Sequence, residues 1–213
     1  MRPESRPAAD PIPATRWDHR SEGDDWTRAA LRALKDHGSP LVDLTPRDIG
    51  RWCPGYDGAP DHARRAFWVG FLSTLAEYES RWRPGAVGGG GRWFGLVQIA
   101  PATADGYRCE ARSGGALKDG GKNLACAIRI MATTVPRDGV IHSSGPDWGG
   151  VSADWGPMRS ASKRADMREW LRGQEYCQLF SSPRPEARPE LAQEARDDRS
   201  NAKAVRIAAR SPR

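Results

Sequence analysis

The hydrophobic positions along this chain recur mostly at helical spacing. Trp26, Ala30, Leu31 and Leu34 form the first run, which Asp25 can cap and which Gly38 and Pro40 stop. Thr45-Pro46-Arg47-Asp48 reads as another helix start, with Thr as cap and Pro at the first position. Asp61 can cap a longer helix from His62 to about Trp82. On that helix Trp68, Phe71, Leu72, Leu75, Glu79 and Trp82 share one stripe, and Gly70, Ser73, Thr74, Glu77 and Arg81 share the opposite face. A Gly-rich stretch, Gly85 to Gly91, leads into the short apolar run Phe94 to Ile99, which reads as a strand. Beyond it the pattern predicts a short helix over Pro101 to Tyr107. A longer helix over about Lys122 to Val135 follows, with Leu124, Ala127, Ile128 and Met131 on one face. Gly139 to Pro157 is loop-like, and a last helix over about Ser162 to Tyr176 turns Met167, Trp170 and Leu171 inward. The fold class that follows is mainly α, with one small Gly-rich β-like insert.

The two ends break this pattern. Residues 1–23 are rich in Pro, Arg and Asp and lack periodicity, which predicts a disordered N-terminal arm. Residues 181–213 mix Pro, Arg, Ala and acidic residues with almost no large apolar side chains, which predicts a disordered basic tail. That leaves 24–180 as one domain, a size sufficient for a proper core. No run of about 18 apolar residues is present, so no transmembrane helix is expected. Met1 to Glu22 holds no apolar stretch of the kind a signal peptide carries. The net charge of +6 favours anionic partners such as nucleic acid, an acidic membrane surface or an anionic cell-wall polymer. The basic residues are scattered rather than striped and no nucleic-acid-binding motif stands among them, so nucleic acid is not expected as a partner.

Cys53, Cys109, Cys126 and Cys177 form no CxxC pair and have no His at zinc-ligand spacing, so no metal site is expected. They are either unrelated buried thiols or two disulfides of an oxidising compartment. Of the three possible connectivities the favoured one joins Cys109 to Cys126, closing a short loop, and Cys53 to Cys177, tying the start of the domain to its end. Gly88-Gly89-Gly90-Gly91 lacks the Lys-Ser/Thr of a phosphate-binding loop and reads as a turn. No cofactor is implied.

The feature that points to a reaction is Glu79-Ser80 at the end of the apolar helix, close in sequence to Gly95-Leu96-Val97-Gln98-Ile99 and Pro101-Ala102-Thr103-Ala104. Helical phase turns Glu77 outward, as a solvated residue, and Glu79 inward. A carboxyl in an apolar wall loses hydration, which raises its pKa toward the range a general acid needs. The competing reading is that Glu79 only pairs with an arginine such as Arg83 or Arg92.

These phrases, in this order and spacing, resemble the signature of the SLT-type lytic transglycosylases, which have a lysozyme-like fold. In that family a catalytic Glu followed by Ser closes a helix, and a Gly-Leu-Met-Gln-Ile type strand and a Pro-x-Thr-Ala helix start follow. Asn123-Leu124 is similar to the family's Asn-Ile or Asn-Leu element. The likeness spans roughly Ala66 to Met131. It implies that Glu79 is the acid/base, that Gln98 lines the sugar groove, that Ser80 supports the glutamate and substrate, and that Asn123 is structural. Val97 replaces the usual Met. The family's Tyr-Asn-x-Gly type motif is absent, and Asp154-Trp155-Gly156-Pro157 stands in its place.

Trp155 reads equally as a core residue and as a sugar-stacking platform, and Trp93, beside Gly95, is the best aromatic candidate for the groove. The implied substrate is peptidoglycan, cleaved at the β-1,4 bond between N-acetylmuramic acid and N-acetylglucosamine to leave 1,6-anhydro ends. A two-carboxylate hydrolase would need a partner for Glu79, but nothing singles one out among Asp105, Glu110, Asp119, Asp138, Asp147 and Asp154. The implied location is the periplasm or cell envelope. The alternatives are a hydrolytic lysozyme or endolysin and a non-catalytic wall-binding module, and the oligomeric state is left open.

Overall fold

A computed structural model of the chain describes residues 10–178. The predicted C-terminal tail lies outside the described residues, as do positions 1–9. Six α-helices carry the described fold: α1 (Gly23–Lys35), α2 (Ser39–Asp43), α3 (Asp61–Ser80), α4 (Pro101–Gly106), α5 (Gly120–Asp138) and α6 (Ala161–Arg172). Two short antiparallel hairpins interrupt them. One pairs β1 (Val87–Gly88) with β2 (Trp93–Phe94), the other β3 (His142–Ser143) with β4 (Gly149–Gly150). This is the mainly helical, α+β architecture of a lysozyme-like domain. No described helix is long and apolar enough to cross a membrane.

Helix α3 is the axis of the domain, and it is buried on nearly all sides. Phe67, Trp68, Phe71, Leu72 and Leu75 are inaccessible, but so are Ser73 and Thr74. The two-faced reading of this helix is therefore wrong. Ser73 and Thr74 can be buried because each hydroxyl donates to a carbonyl one turn back, Gly70 O at 2.6 Å and Phe71 O at 2.7 Å. Gly70 is needed because a Cβ there would lie 2.0 Å from the Tyr176 hydroxyl. Around Trp68 the rings of Tyr56, Phe67, Phe71 and Trp52 form a chain of edge-on contacts with centroids 5.1 to 5.7 Å apart.

What covers the unexpected face of α3 is the N-terminal segment, which corrects the arm predicted over 1–23. From residue 10 onward it is part of the fold. Asp10 bonds Arg65 at 2.6 Å and pairs with Lys35 at 3.1 Å. The Arg16 amide donates to the Ser73 hydroxyl, and its guanidinium bridges Glu77 at 2.5 Å and Asp166 at 2.7 Å. Trp17 is fully buried and donates its indole N–H to Thr27 at 2.9 Å. The segment shows no periodicity because ion pairs and one indole hold it, not regular structure.

Several predicted ends move. Helix α1 starts at Gly23, so Asp25 lies in its first turn rather than at its cap, and Asp61 likewise opens α3 without capping it. The helix expected from Thr45 shrinks to a 3-10 turn, Ile49–Arg51. Asp48 is spent there on Trp52 Nε1 and on the amides of Ile141 and His142. Helix α3 ends at Ser80, because Arg81 and Trp82 both adopt left-handed backbone at φ 52°. The turned-back Trp82 then donates to Ser73 O at 2.8 Å. Helix α5 extends the predicted run at both ends, from the Asp119 cap, which accepts from the Lys122 amide, to Gly139 at φ 67°. Helix α6, capped by Ser160, is shorter than predicted, and Glu175–Cys177 forms a separate 3-10 turn. The stretch read as a loop over 139–157 holds the second hairpin.

Both favoured disulfides are present, Cys53–Cys177 and Cys109–Cys126. The first spans 124 positions and the second 17. Chain entropy in the unfolded state makes the longer closure worth about 5 kcal/mol and the shorter about 3 kcal/mol. Denaturant melts of Cys53→Ser/Cys177→Ser and Cys109→Ser/Cys126→Ser are expected to show the larger loss for the first pair. Equal losses would mean that local packing, not loop closure, dominates.

Candidate active site

Glu79 sits in the last turn of α3, half-buried. Among the described residues it has no ion pair and no side-chain hydrogen bond. The arginine-pairing alternative is thereby set aside. Arg83 Nε is committed to Ser80 O at 2.9 Å, and Arg92 Nε to Gly89 O at 2.8 Å. Burial pushes the Glu79 carboxyl up to about 7, opposed only by the positive charge of Lys163. Lys163 stands on the first turn of α6 with its ammonium 5.2 Å from the centre of the Tyr78 ring.

The neighbouring Glu77 is not the solvated residue expected. It and Asp166 share Arg16, and Asp166 also accepts from the Tyr78 hydroxyl at 2.6 Å. This network fixes the last turn of α3 on one side and leaves Glu79 free on the other. No pattern in the sequence could have shown it, since Arg16 and Asp166 are 150 positions apart. Lys163 was missed for the same reason.

Against the end of α3, where Ser80 bonds Leu96 O, residues 94–99 form a tight turn rather than the predicted strand. Phe94 and Ile99 exchange both backbone hydrogen bonds at 3.0 Å, closing the turn. Gly95 at φ 86° and Gln98 at φ 52° reverse the chain between them. A Cβ at position 95 would stand 2.2 Å from Leu117 O and 2.3 Å from the Asn123 amide nitrogen, so glycine is required both for conformation and for space.

Three side chains hold this turn. Asn123, fully buried on α5, accepts from the Val97 amide and donates to Phe94 O and Leu117 O, each at 3.0 Å. Ser80 donates to Leu96 O at 2.7 Å and accepts from the Arg83 amide. Trp155 donates its indole N–H to Val97 O at 2.9 Å. Asn123 thus has the structural geometry expected of it.

The geometry changes two of the substrate-binding candidates. Ser80 is 3% exposed with its hydroxyl committed, so it can support Glu79 but presents nothing to a ligand. Trp155 is also 3% exposed and packs beneath the turn, so it offers no stacking face. Gln98 is half-buried and directs its amide N–H to Gly95 O at 2.8 Å and Ala86 O at 3.3 Å, leaving its carbonyl oxygen beside Gly88. Trp93 is 43% exposed on the hairpin, with its ring against Gly89 and the Arg92 guanidinium 5.0 Å over it. It remains the accessible aromatic of the site.

Four of the six candidate second carboxylates have local tasks. Asp105 faces Arg112, Glu110 pairs with Lys122, Asp119 caps α5, and Asp138 binds Arg137 and the Gly150 amide. A cavity of about 500 Å³ lined by Arg32, His37, Lys122, Arg129 and the Cys109–Cys126 bridge lies between α1 and α5, and Glu79 is not among its walls.

Two substitutions test this arrangement. Asn123→Ala strands one buried amide and two carbonyls, and urea melts are expected to show a loss of roughly 2–4 kcal/mol. Removing the cation in Lys163→Met is expected to raise the Glu79 titration above its wild-type position, because the carboxylate loses a favourable charge. Carbon-detected NMR of the Glu79 carboxyl reads this directly, and an unchanged titration would remove Lys163 from the site.

The chain was compared with known proteins. The family model described as Transglycosylase SLT domain matches residues 61–139, the stretch that runs from the start of α3 to the end of α5. The structure of Bd0314 DslA, wild-type form 2, superposes with a TM-score of 0.72 at 25% identity, covering 79% of this chain and all of that one. Two Glu-to-Gln mutants of the same protein give TM-scores of 0.71 and 0.70 at 26% identity, each covering 80% of this chain and 100% of the other. No curated protein matches. The stretch that matches the Transglycosylase SLT domain model, residues 61–139, is thus the one that carries Glu79, the Gln98 turn and Asn123.

Proposed function

We propose that this chain is a peptidoglycan lytic transglycosylase in which Glu79 serves first as acid and then as base. The observation that supports this most is the unpaired, half-buried carboxyl of Glu79, held protonated up to about pH 7 on the helix end that Ser80 joins to the Gln98 turn. A carboxylic acid in that state can donate a proton near neutrality, which an ion-paired carboxylate cannot do.

The reaction then runs in two steps. Glu79 gives its proton to the glycosidic oxygen as the bond from C1 of N-acetylmuramic acid breaks. The carbonyl oxygen of that sugar's own N-acetyl group bonds to C1 and carries the positive charge. The C6 hydroxyl next attacks C1 and releases the N-acetyl oxygen, and Glu79, now a carboxylate, takes the hydroxyl proton. The product has a 1,6-anhydro end, and Glu79 is protonated again. No second carboxylate is needed, in line with the local duties of Asp105, Glu110, Asp119 and Asp138. Trp93 would offer its exposed face to a sugar ring, and Gln98 its amide oxygen. The two disulfides fit an oxidising compartment, so the periplasm or cell envelope is the location we assign.

Digestion of purified peptidoglycan, with products read by mass, tests the reading. Wild type is expected to release anhydro-ended muropeptides and Glu79→Gln none. Reducing ends would assign a hydrolase instead, release of no product by wild type would leave only a binding module, and wall clearing by Glu79→Gln equal to wild type would remove Glu79 as the acid.

The same substitution has a stability signature. The folded-state pKa of Glu79 lies above its unfolded value, so ionisation opposes folding. That penalty is absent below about pH 4, grows between there and about pH 7, and is constant above it. Glu79→Gln is therefore expected to be more stable than wild type at pH 8, on the order of 2 kcal/mol, and indistinguishable at pH 4. Thermal melts at the two pH values measure it.

A further inference from the structure

Helix α6 has two polar flanks with different companions. One carries Lys163 and Asp166, which face Tyr78 and Glu79 at the catalytic end. The adjoining flank carries Arg164, Arg168 and Arg172 at successive intervals of four residues, an axial spacing of about 6 Å. Arg51 and Arg159 stand beside this row. Among the described residues none of these five arginines makes an ion pair with a carboxylate, and four of them follow one another along one side of the domain.

The row is fixed in place by neutral contacts. Arg164 donates to Met158 O at 2.7 Å, Arg172 to Gly50 O at 3.2 Å, and Arg159 to Ser152 O and Ala153 O. Arg168 stacks over Trp52 at 4.4 Å. The buried Nε atoms of Arg164 and Arg168 have no partner. Asp48, whose negative charge acts on Arg168, has its oxygens bonded to the Trp52 indole and two backbone amides and makes no ion pair with the row. His142 adds no charge near neutral pH, since burial and the surrounding Arg164, Arg168 and Arg51 hold its pKa below the ordinary value. The result is an ordered row of guanidinium groups that makes no ion pair among the described residues; it starts one position along α6 from Lys163 and leads away from the site.

We propose that this arginine row is an exosite for the carboxylates of the peptide stems carried by a glycan strand bound at Glu79. The assignment rests on the peptidoglycan reading above. It follows from charge complementarity and from continuity: a strand leaving the groove over the start of α6 meets Arg164 first. Guanidinium groups pair with carboxylates in a planar, two-point geometry, which suits a stem carboxylate better than a sugar hydroxyl.

Binding is measured with the full chain carrying Glu79→Gln, so that no cleavage is required and failure of the catalytic reading does not affect the outcome. Co-sedimentation with intact peptidoglycan is compared with the same insoluble polymer after its free stem carboxylates have been capped as amides with carbodiimide and ammonia. At low salt the intact polymer is expected to bind roughly tenfold more tightly, a difference that several exposed ion pairs can supply and that salt should erase. Arg164→Gln/Arg168→Gln/Arg172→Gln should lose the preference, and the corresponding triple Lys variant should keep part of it. Where the triple Gln variant melts early, Arg51→Gln/Arg168→Gln gives the same test without breaking a backbone contact. Equal binding to intact and amidated peptidoglycan, or a preference that survives both Gln variants, would overturn the exosite.

Discussion

The position of the candidate site depends on how a six-residue turn without its own ladder is held against the end of α3. Between Phe94 and Ile99 the chain makes one closed pair and then reverses, so the amides and carbonyls in between must be satisfied from elsewhere. Asn123, Ser80 and Trp155 supply those partners from α5, from α3 and from the turn after the second hairpin. Each such bond contributes about 1 kcal/mol net, but leaving its partner buried and unpaired costs about 1–3 kcal/mol. The turn is thus positioned less by attraction than by the penalty for every alternative. Ser80 matters most for geometry, because its one hydroxyl joins the turn directly to the residue after Glu79.

The same economy of partners explains the electrostatics of Glu79. Every other group at the end of α3 has a mate: Glu77 has Arg16, Tyr78 has Asp166, and Ser80 has Leu96 O. Glu79 is left out of all of these pairings, and burial, opposed by the charge of Lys163, then sets its protonation. A protein selected only for stability would pair or replace such a group. The unpaired acid is a standing destabilisation above its pKa, which the rest of the fold must offset.

What could be read in the sequence, and what could not, follows from the range of the interactions. Glu79 was legible from helical phase, and Ser80, Gln98 and Asn123 from the resemblance of their phrases, in order and spacing, to the SLT-type signature. Both disulfides were legible because few pairings suit a single domain. The two faces assigned to α3 were not, because amphipathic reasoning supposes one wet side, and this helix is enclosed on all of them. Trp155 could be read either as core or as platform, and its burial beneath the turn, with the indole bonded to Val97 O, decides for the core. Residues 10–22 and Lys163 were illegible for a common reason: their partners are ion pairs and ring faces far along the chain, to which periodicity is blind.

Helix α6 brings these threads together. Its buried edge, Met167 and Leu171, packs in the core, which fixes the rotation of the helix about its axis. Once that rotation is fixed, Lys163 and Asp166 must face the end of α3, and Arg164, Arg168 and Arg172 must face away from it. The charge that opposes the high pKa of Glu79 and the row of unpaired guanidinium groups are therefore two consequences of one packing decision. A rotation of one residue would place Arg164 beside Glu79 in place of Lys163. A guanidinium that reached the carboxyl would bind it in a two-point pair and lower its pKa out of the acid range. The apolar side chains at 167 and 171, distant from any reacting atom, thereby help to keep Glu79 a proton donor.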